Sequence, residues 1–371
     1  MADYTTIDDP SAHFQIKLYT GNASNPRNLT NDGNSDLKPD WLWLKNRTDD
    51  GTNHVVANSS IGWDAPKGVG YPWENGPFGG QMSVDDLGAE STPQATYGYI
   101  SAALTDGFTA AAGGTNGDTV NKNSKDFVAW QWKANGGTTS ANTAGGINSE
   151  VQVNATAGFS IVTFTSDGTT NTVGHGLGVK PDVVMVKSRS AAGGMILITD
   201  KINGSMDYGY LHVADDFADI GYDAPTSTVF QFNNNNGITH NAYCFTEIQG
   251  YSKFGQYYGN GQSIDGPFVY CGFKPAWVMI KNTQTDARPW YIFDNARRTF
   301  NPNGTMLESD TTDAEATDQA IDMYSNGFKV RPGALGSYGT SSTNHSAQYM
   351  FYMAFAESPF VSSEGTPTTA N

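Results

Sequence analysis

Three times along the chain a lysine–proline pair leads into a short apolar run that closes on a second lysine. The copies read KPDWLWLK from Lys38, KPDVVMVK from Lys180 and KPAWVMIK from Lys274. Proline lacks an N–H and holds φ at about −65°, so it suits the start of a strand rather than its middle. The run that follows puts apolar side chains on both faces, which predicts a central strand covered on two sides. The closing lysines, Lys45, Lys187 and Lys281, then mark the exit from the core. An aromatic strand precedes each copy: FQIKLYTGN from Phe14, FSIVTFTSDG from Phe159, FGQYYGNG from Phe254. A strongly apolar strand ends each one: FVAWQWK from Phe127, AYCFTEI from Ala242, MFYMAFAE from Met350. In the first of these the period of two sends Trp130 and Trp132 one way and Ala129 and Gln131 the other.

The spacing between copies is unequal, which excludes a fixed-period solenoid and points to one unit repeated with loop insertions. TDGFTA around Phe108 matches SNGFKV around Phe328 in the same way. We therefore expect an all-β fold of three diverged antiparallel β-sandwich-like modules. Their bounds are roughly 10–135 (carrying a long loop insertion), 158–249 and 251–357. Residues 136–157, rich in Gly, Thr, Ser and Asn, read as a linker, and 358–371 as a polar, mobile tail. The one stretch with any helical character, from Asp310 to Tyr324, lacks a clear apolar stripe and predicts at most a short surface helix.

Composition sharpens this picture in three places. With 38% hydrophobic, 12% aromatic and 16% charged residues, the chain is folded rather than disordered. A net charge of −16 opposes contact with a nucleic-acid backbone or an anionic membrane surface. Cys244 and Cys271 each lie in an apolar run and read as small buried hydrophobes of a chain folded in a reducing cytosol. The opening MADYTTIDDPSAHF has no signal-peptide pattern, and no apolar window is long enough to predict a membrane-spanning helix.

Candidate chemistry is sparse. The six histidines show no metal-ligand spacing, and His175 in VGHGLG reads as a loop histidine. That glycine-rich segment runs into Lys-Pro-Asp and a strand, not a helix, so it is no dinucleotide loop. The adjacent acids Asp49–Asp50, Asp85–Asp86 and Asp215–Asp216 are poorly placed for glycoside hydrolysis, because sequence neighbours point apart. No catalytic residue, metal site or cofactor is therefore expected, though a depolymerase with acids from distant segments stays open as the enzymatic alternative. The favoured contact surface is the insertion IGWDAPKGVGYPWENGPFGG. Its Pro and Gly residues hold Trp63, Tyr71 and Trp73 as exposed rings for docking to a neighbouring subunit or to an external ligand.

TTIDDPSAHFQIKLYTGN, FVAWQWKANGGTTS, GYSKFGQYYGNGQSIDGPFVYCGFKPAWVMIK and YMFYMAFAESPF together resemble a family of marine bacteriophage virion proteins of tail-fibre or structural type. The resemblance spans nearly the whole chain. It implies a non-enzymatic structural protein on the particle exterior, assembled in the host bacterial cytoplasm. Its expected partners are other virion proteins of tail or capsid and further copies of itself, trimers foremost. It also allows adhesion to a host-surface glycan, and gives no role in nucleic-acid binding or membrane insertion. Because the sequence lacks heptads and collagen-like runs, a capsid decoration protein is the alternative to a fibre.

Overall fold

The structure, a computed structural model, describes residues 4–59, 81–90, 97–114, 119–285, 287–317, 319–334 and 342–367. Within them the chain is built of antiparallel strands, with a single 3₁₀ turn at Pro10–Ala12 and no α-helix. Each Lys-Pro segment forms the middle strand of a large sheet. These motif strands are Trp41–Asn46, Val183–Ser188 and Phe273–Asn282, with every residue buried. Pro39 and Pro181 lie just ahead of their strands. Pro275 instead sits inside its strand at a register shift, a bulge that tolerates the missing donor.

The three large sheets share one spatial order: opening, closing, motif, return and rim strand. The opening strands are Phe14–Thr20, Phe159–Thr165 and Ser252–Tyr258; the closing strands are Asp126–Trp132, Thr239–Phe245 and Tyr349–Pro359. The return strands are Val55–Asn58, Ile196–Thr199 and Tyr291–Asp294; the rim strands are Met82–Ser83, Asp207–Tyr210 and Met306–Glu308. Register is conserved as well: Trp41 faces Trp132, Val183 faces Phe245, and Trp277 faces Phe355.

Alternation along the motif strands explains the layering. Trp41 and Trp43, Val183 and Met185, and Trp277 and Met279 all point into one central core shared by the three sheets. Leu42 and Leu44, Val184 and Val186, and Val278 and Ile280 point outward into three separate cores. Each outer core is closed by a small sheet. The first small sheet comprises Arg27–Leu29, Phe108–Ala111 and Tyr99–Ala103, and the third Phe268–Tyr270, Gly327–Val330 and Ile321–Tyr324. The second has only Asn171–Gly174 and Val229–Phe232. Gly107 and Gly327 explain the matched TDGF and SNGF segments, since a Cβ at either would lie 2.0 Å from a strand carbonyl, of Leu29 or Val269.

Every large sheet touches both others across the central core. Trp41 stacks on Tyr243 at 4.5 Å and Trp132 meets Trp277 edge-on at 6.0 Å. Phe245 lies 5.7 Å from Phe355. The sheets thus stand as three sides around one axis of rings. Complete burial of such a side chain stabilises the fold by about 2–3 kcal/mol, and ring pairing adds about 0.5–1.5 kcal/mol.

Several expectations need correction. Ser140–Asn142 and Ser149–Asn154, in the stretch read as a linker, are strands that extend the second sheet beyond its opening strand. Turn-forming composition hid an edge that Val151 and the buried Gln152 anchor. Of the tail, residues 358–367 are described: Ser363 N–H donates to Asp8 on the body, and Val361 bridges Pro367 within the tail. The Asp310–Tyr324 stretch carries the strand Ile321–Tyr324 rather than a helix. The cysteines, by contrast, are as expected: Cys244 and Cys271 are free and buried.

Candidate functional site

The insertion bearing Trp63, Tyr71 and Trp73 falls at 60–80, outside the described residues. Most of the other groups singled out in the sequence are engaged in holding the chain. His175 is buried, its Nδ1 accepting from Leu177 N–H, and burial keeps its ring below the ordinary histidine range. Asp49 binds Lys122 and Lys125, and Asp50 caps Ala314 N–H. Asp86 takes hydrogen bonds from Asn53 and Gly88, while Asp215 and Asp216 are exposed. Among the described residues no group of His, Cys, Asp and Glu could hold a metal ion.

The closing lysines of the motifs do not leave the core. Continuing the inward-facing row after Trp43, Met185 and Met279, they are fully buried, and their amines bridge the sheets. Lys45 donates to Thr52 O of its own sheet at 2.5 Å and to Thr312 O of the third at 3.1 Å. Lys187 donates to Gly193 O of its own sheet and to Asp86 O of the first. Lys281 donates to Arg288 O of its own sheet and to Ala214 O of the second. First grips third, second grips first, third grips second. The clasp is a closed cycle.

Two residues beyond each lysine the cycle repeats in backbone. Glu315 N–H donates to Arg47 O, Glu90 N–H to Arg189 O, and Phe217 N–H to Thr283 O. The side chains differ by junction. Arg47 makes a two-pronged pair with Glu315, and Arg189 pairs with Glu90 at 2.6 Å with only 3% and 6% of the two side chains exposed. At the third junction Phe217 instead packs against Trp290 and Phe351.

Burial dominates the electrostatics here. It pulls the amines of Lys45 and Lys187 down to about 8, although nearby carboxylates pull the other way. Asp85, which accepts from His54 N–H, is pushed up to about 7 by the same desolvation. His54 is held well below its ordinary value by burial, with Nδ1 accepting from Trp43 Nε1 and Nε2 against Glu308 O of the third sheet. Such shifts flag active sites as often as structural networks. In this protein Lys45, Lys187 and His54 are each spent on a sheet junction, and Asp85 lies beside them within the first sheet.

One surface feature that sequence reading missed is a cleft of about 400 Å³ on the outer side of the second sheet. Its floor is Val186 and Ile196; its walls carry Tyr208, Tyr210 and Tyr222, and its rim Asp219, Asn233 and Asn234. Tyr208 and Tyr210, two apart on the rim strand, share a face and meet edge-on at 5.5 Å and 82°. The cleft lies beside Val229–Phe232, which pairs with one strand only, whereas the corresponding strands of the first and third small sheets pair with two. The spacing of the two tyrosines in DYGY was the only signal of it in the sequence.

No curated protein and no solved structure matches the chain. The family model described as Domain of unknown function (DUF7483) matches residues 77–359, from the end of the aromatic insertion to the last closing strand. That is about three-quarters of the sequence, and the chain belongs to this family.

Proposed function

We propose that the chain is a non-enzymatic structural component on the exterior of a bacteriophage particle, assembled from three diverged copies of one sandwich-like unit. Its role is to present loops and clefts on a rigid body, docked to other virion proteins, with adhesion to a host-surface glycan. The reading is supported best by the closed lysine cycle. The amines of Lys45, Lys187 and Lys281 are consumed in locking the sheets together and are unavailable to a substrate. Three walls around one aromatic axis, with no shaft among the described residues, suit a tail appendage or a capsid decoration better than the stem of a fibre.

Quantitative mass spectrometry of purified particles tests this. The protein is expected in intact virions, at low copy for a tail position or near the copy number of the capsid protein for decoration. Its absence from particles overturns the proposal. Release of oligosaccharides from host polysaccharide by the purified chain overturns the non-enzymatic part and favours a depolymerase.

A further inference from the structure

We infer that the cleft on the second sheet binds a neutral pyranose unit of a surface glycan, an inference that rests on the adhesive role proposed above. Four observations carry it. The first is the wall chemistry. Tyr208 and Tyr210 present ring planes nearly at right angles over an apolar floor, which suits the C–H face of a sugar ring. The second is the rim. Asp219 uses Oδ1 to accept from Gly221 N–H, Asn233 uses Nδ2 toward Thr170, and Asn234 uses Oδ1 toward Asn235 N–H. Asp219 Oδ2, Asn233 Oδ1 and Asn234 Nδ2 make no hydrogen bond among the described residues. The residues lining the cleft thus keep two acceptors and one donor available, the complement of adjacent hydroxyls.

The third observation is internal comparison. At the register position of Tyr210 the first sheet has Ser83 and the third Glu308, so the sheet itself does not require an aromatic side chain there. Tyr210 is nevertheless retained at 37% exposure over an opening where the other two small sheets have an extra strand. The fourth is charge. Among the described residues no Lys, Arg or His lines the cleft, Asp219 stands at its rim, and the chain carries −16 overall, which selects against carboxylated or sulfated sugars. The volume lies near the lower end of small-molecule pockets, about 300–1,000 Å³. It fits one or two rings rather than the extended groove a proline-rich peptide needs.

The test is saturation-transfer NMR on the purified full chain. The probes are methyl glycosides of glucose, galactose, mannose and N-acetylglucosamine, with methyl glucuronide and a proline-rich peptide alongside. At least one neutral glycoside is expected to bind saturably. Tyr210→Ala should weaken it about tenfold or more, equivalent to about 1.4 kcal/mol. Asp219→Asn, an exposed and conservative change, should weaken it several-fold, and Tyr258→Ala, an exposed ring on the third sheet, should leave it unchanged. If Tyr210→Ala fails to fold, Asp219→Asn decides. The inference is overturned if no neutral glycoside binds, if binding ignores both cleft variants, if the glucuronide binds as tightly, or if only the peptide binds. A negative result with the protein present in virions removes the cleft and leaves the structural role standing. Binding by a chain absent from virions does the reverse.

Discussion

Consider Lys45→Met, which keeps the length and apolar stem of the side chain and deletes one amine of the clasp. In the unfolded chain a lysine titrates near pH 10.4, whereas buried Lys45 titrates at about 8. At pH 7 the amine is charged in both states, and the folded state carries a desolvation penalty of about 3 kcal/mol. Between about pH 8 and 10.5 the folded state sheds this proton while the unfolded state still binds it, so the residue's contribution to stability rises by that amount. Methionine has no such term. It also leaves Thr52 O and Thr312 O without the lysine donor, at about 1–3 kcal/mol each. At pH 7 the two effects largely offset, and the variant should be no more than about 3 kcal/mol less stable than wild type. At pH 10 the gap should widen by about 2.5 kcal/mol. Urea unfolding followed by tryptophan fluorescence at both pH values measures this, and the raised tyrosines cancel in the difference between the two proteins. A gap that stays constant from pH 7 to 10 refutes the claim that Lys45 is held as a desolvated amine.

Two further outcomes follow from the same junctions. Asp85 titrates at about 7 against about 3.9 unfolded, so its burial opposes folding at pH 8 and hardly at all at pH 4. Asp85→Asn keeps an acceptor for His54 N–H and should raise stability at pH 8 by about 2 kcal/mol; an equal effect at both pH values in urea titrations counts against the assignment. Arg189→Met strands Glu90 as a buried, unpaired charge and should cost about 3–5 kcal/mol, while Arg189→Met with Glu90→Leu should recover most of it. A double variant as unstable as the single one in calorimetry would show that the pair does not act as a unit.

Much of this fold was legible in the sequence. Trp41–Leu44, Val183–Val186 and Trp277–Ile280 declared buried central strands because an unbroken apolar run between turns has few other fates. The paired Phe108 and Phe328 segments announced a common local geometry that glycine makes possible. The lysines were misread for a physical reason. A lysine after an apolar strand ordinarily reaches water, and what keeps Lys45 inside is a carbonyl 267 residues away in the chain. Local pattern carries no information about such a partner. The linker failed similarly, since Ser149–Asn154 takes its order from the Phe159–Thr165 strand beside it and not from its own composition. Tyr208, Tyr210 and Tyr222 looked like three more aromatics among many. Only the two-stranded form of the second small sheet turns them into a cleft.

The cyclic clasp also bears on how the polypeptide is made. Trp41, Trp43, Trp130 and Trp132 are synthesised early, yet their cover includes Trp277 and Phe355, and Lys45 waits for Thr312. A ribosome that has completed only the first two sheets therefore holds a nascent product with an uncovered indole face, prone to sticking and in need of a chaperone. Closure also depends on contacts of very long sequence separation, which slows folding. A chain truncated before the third sheet therefore lacks the cover for its own tryptophans.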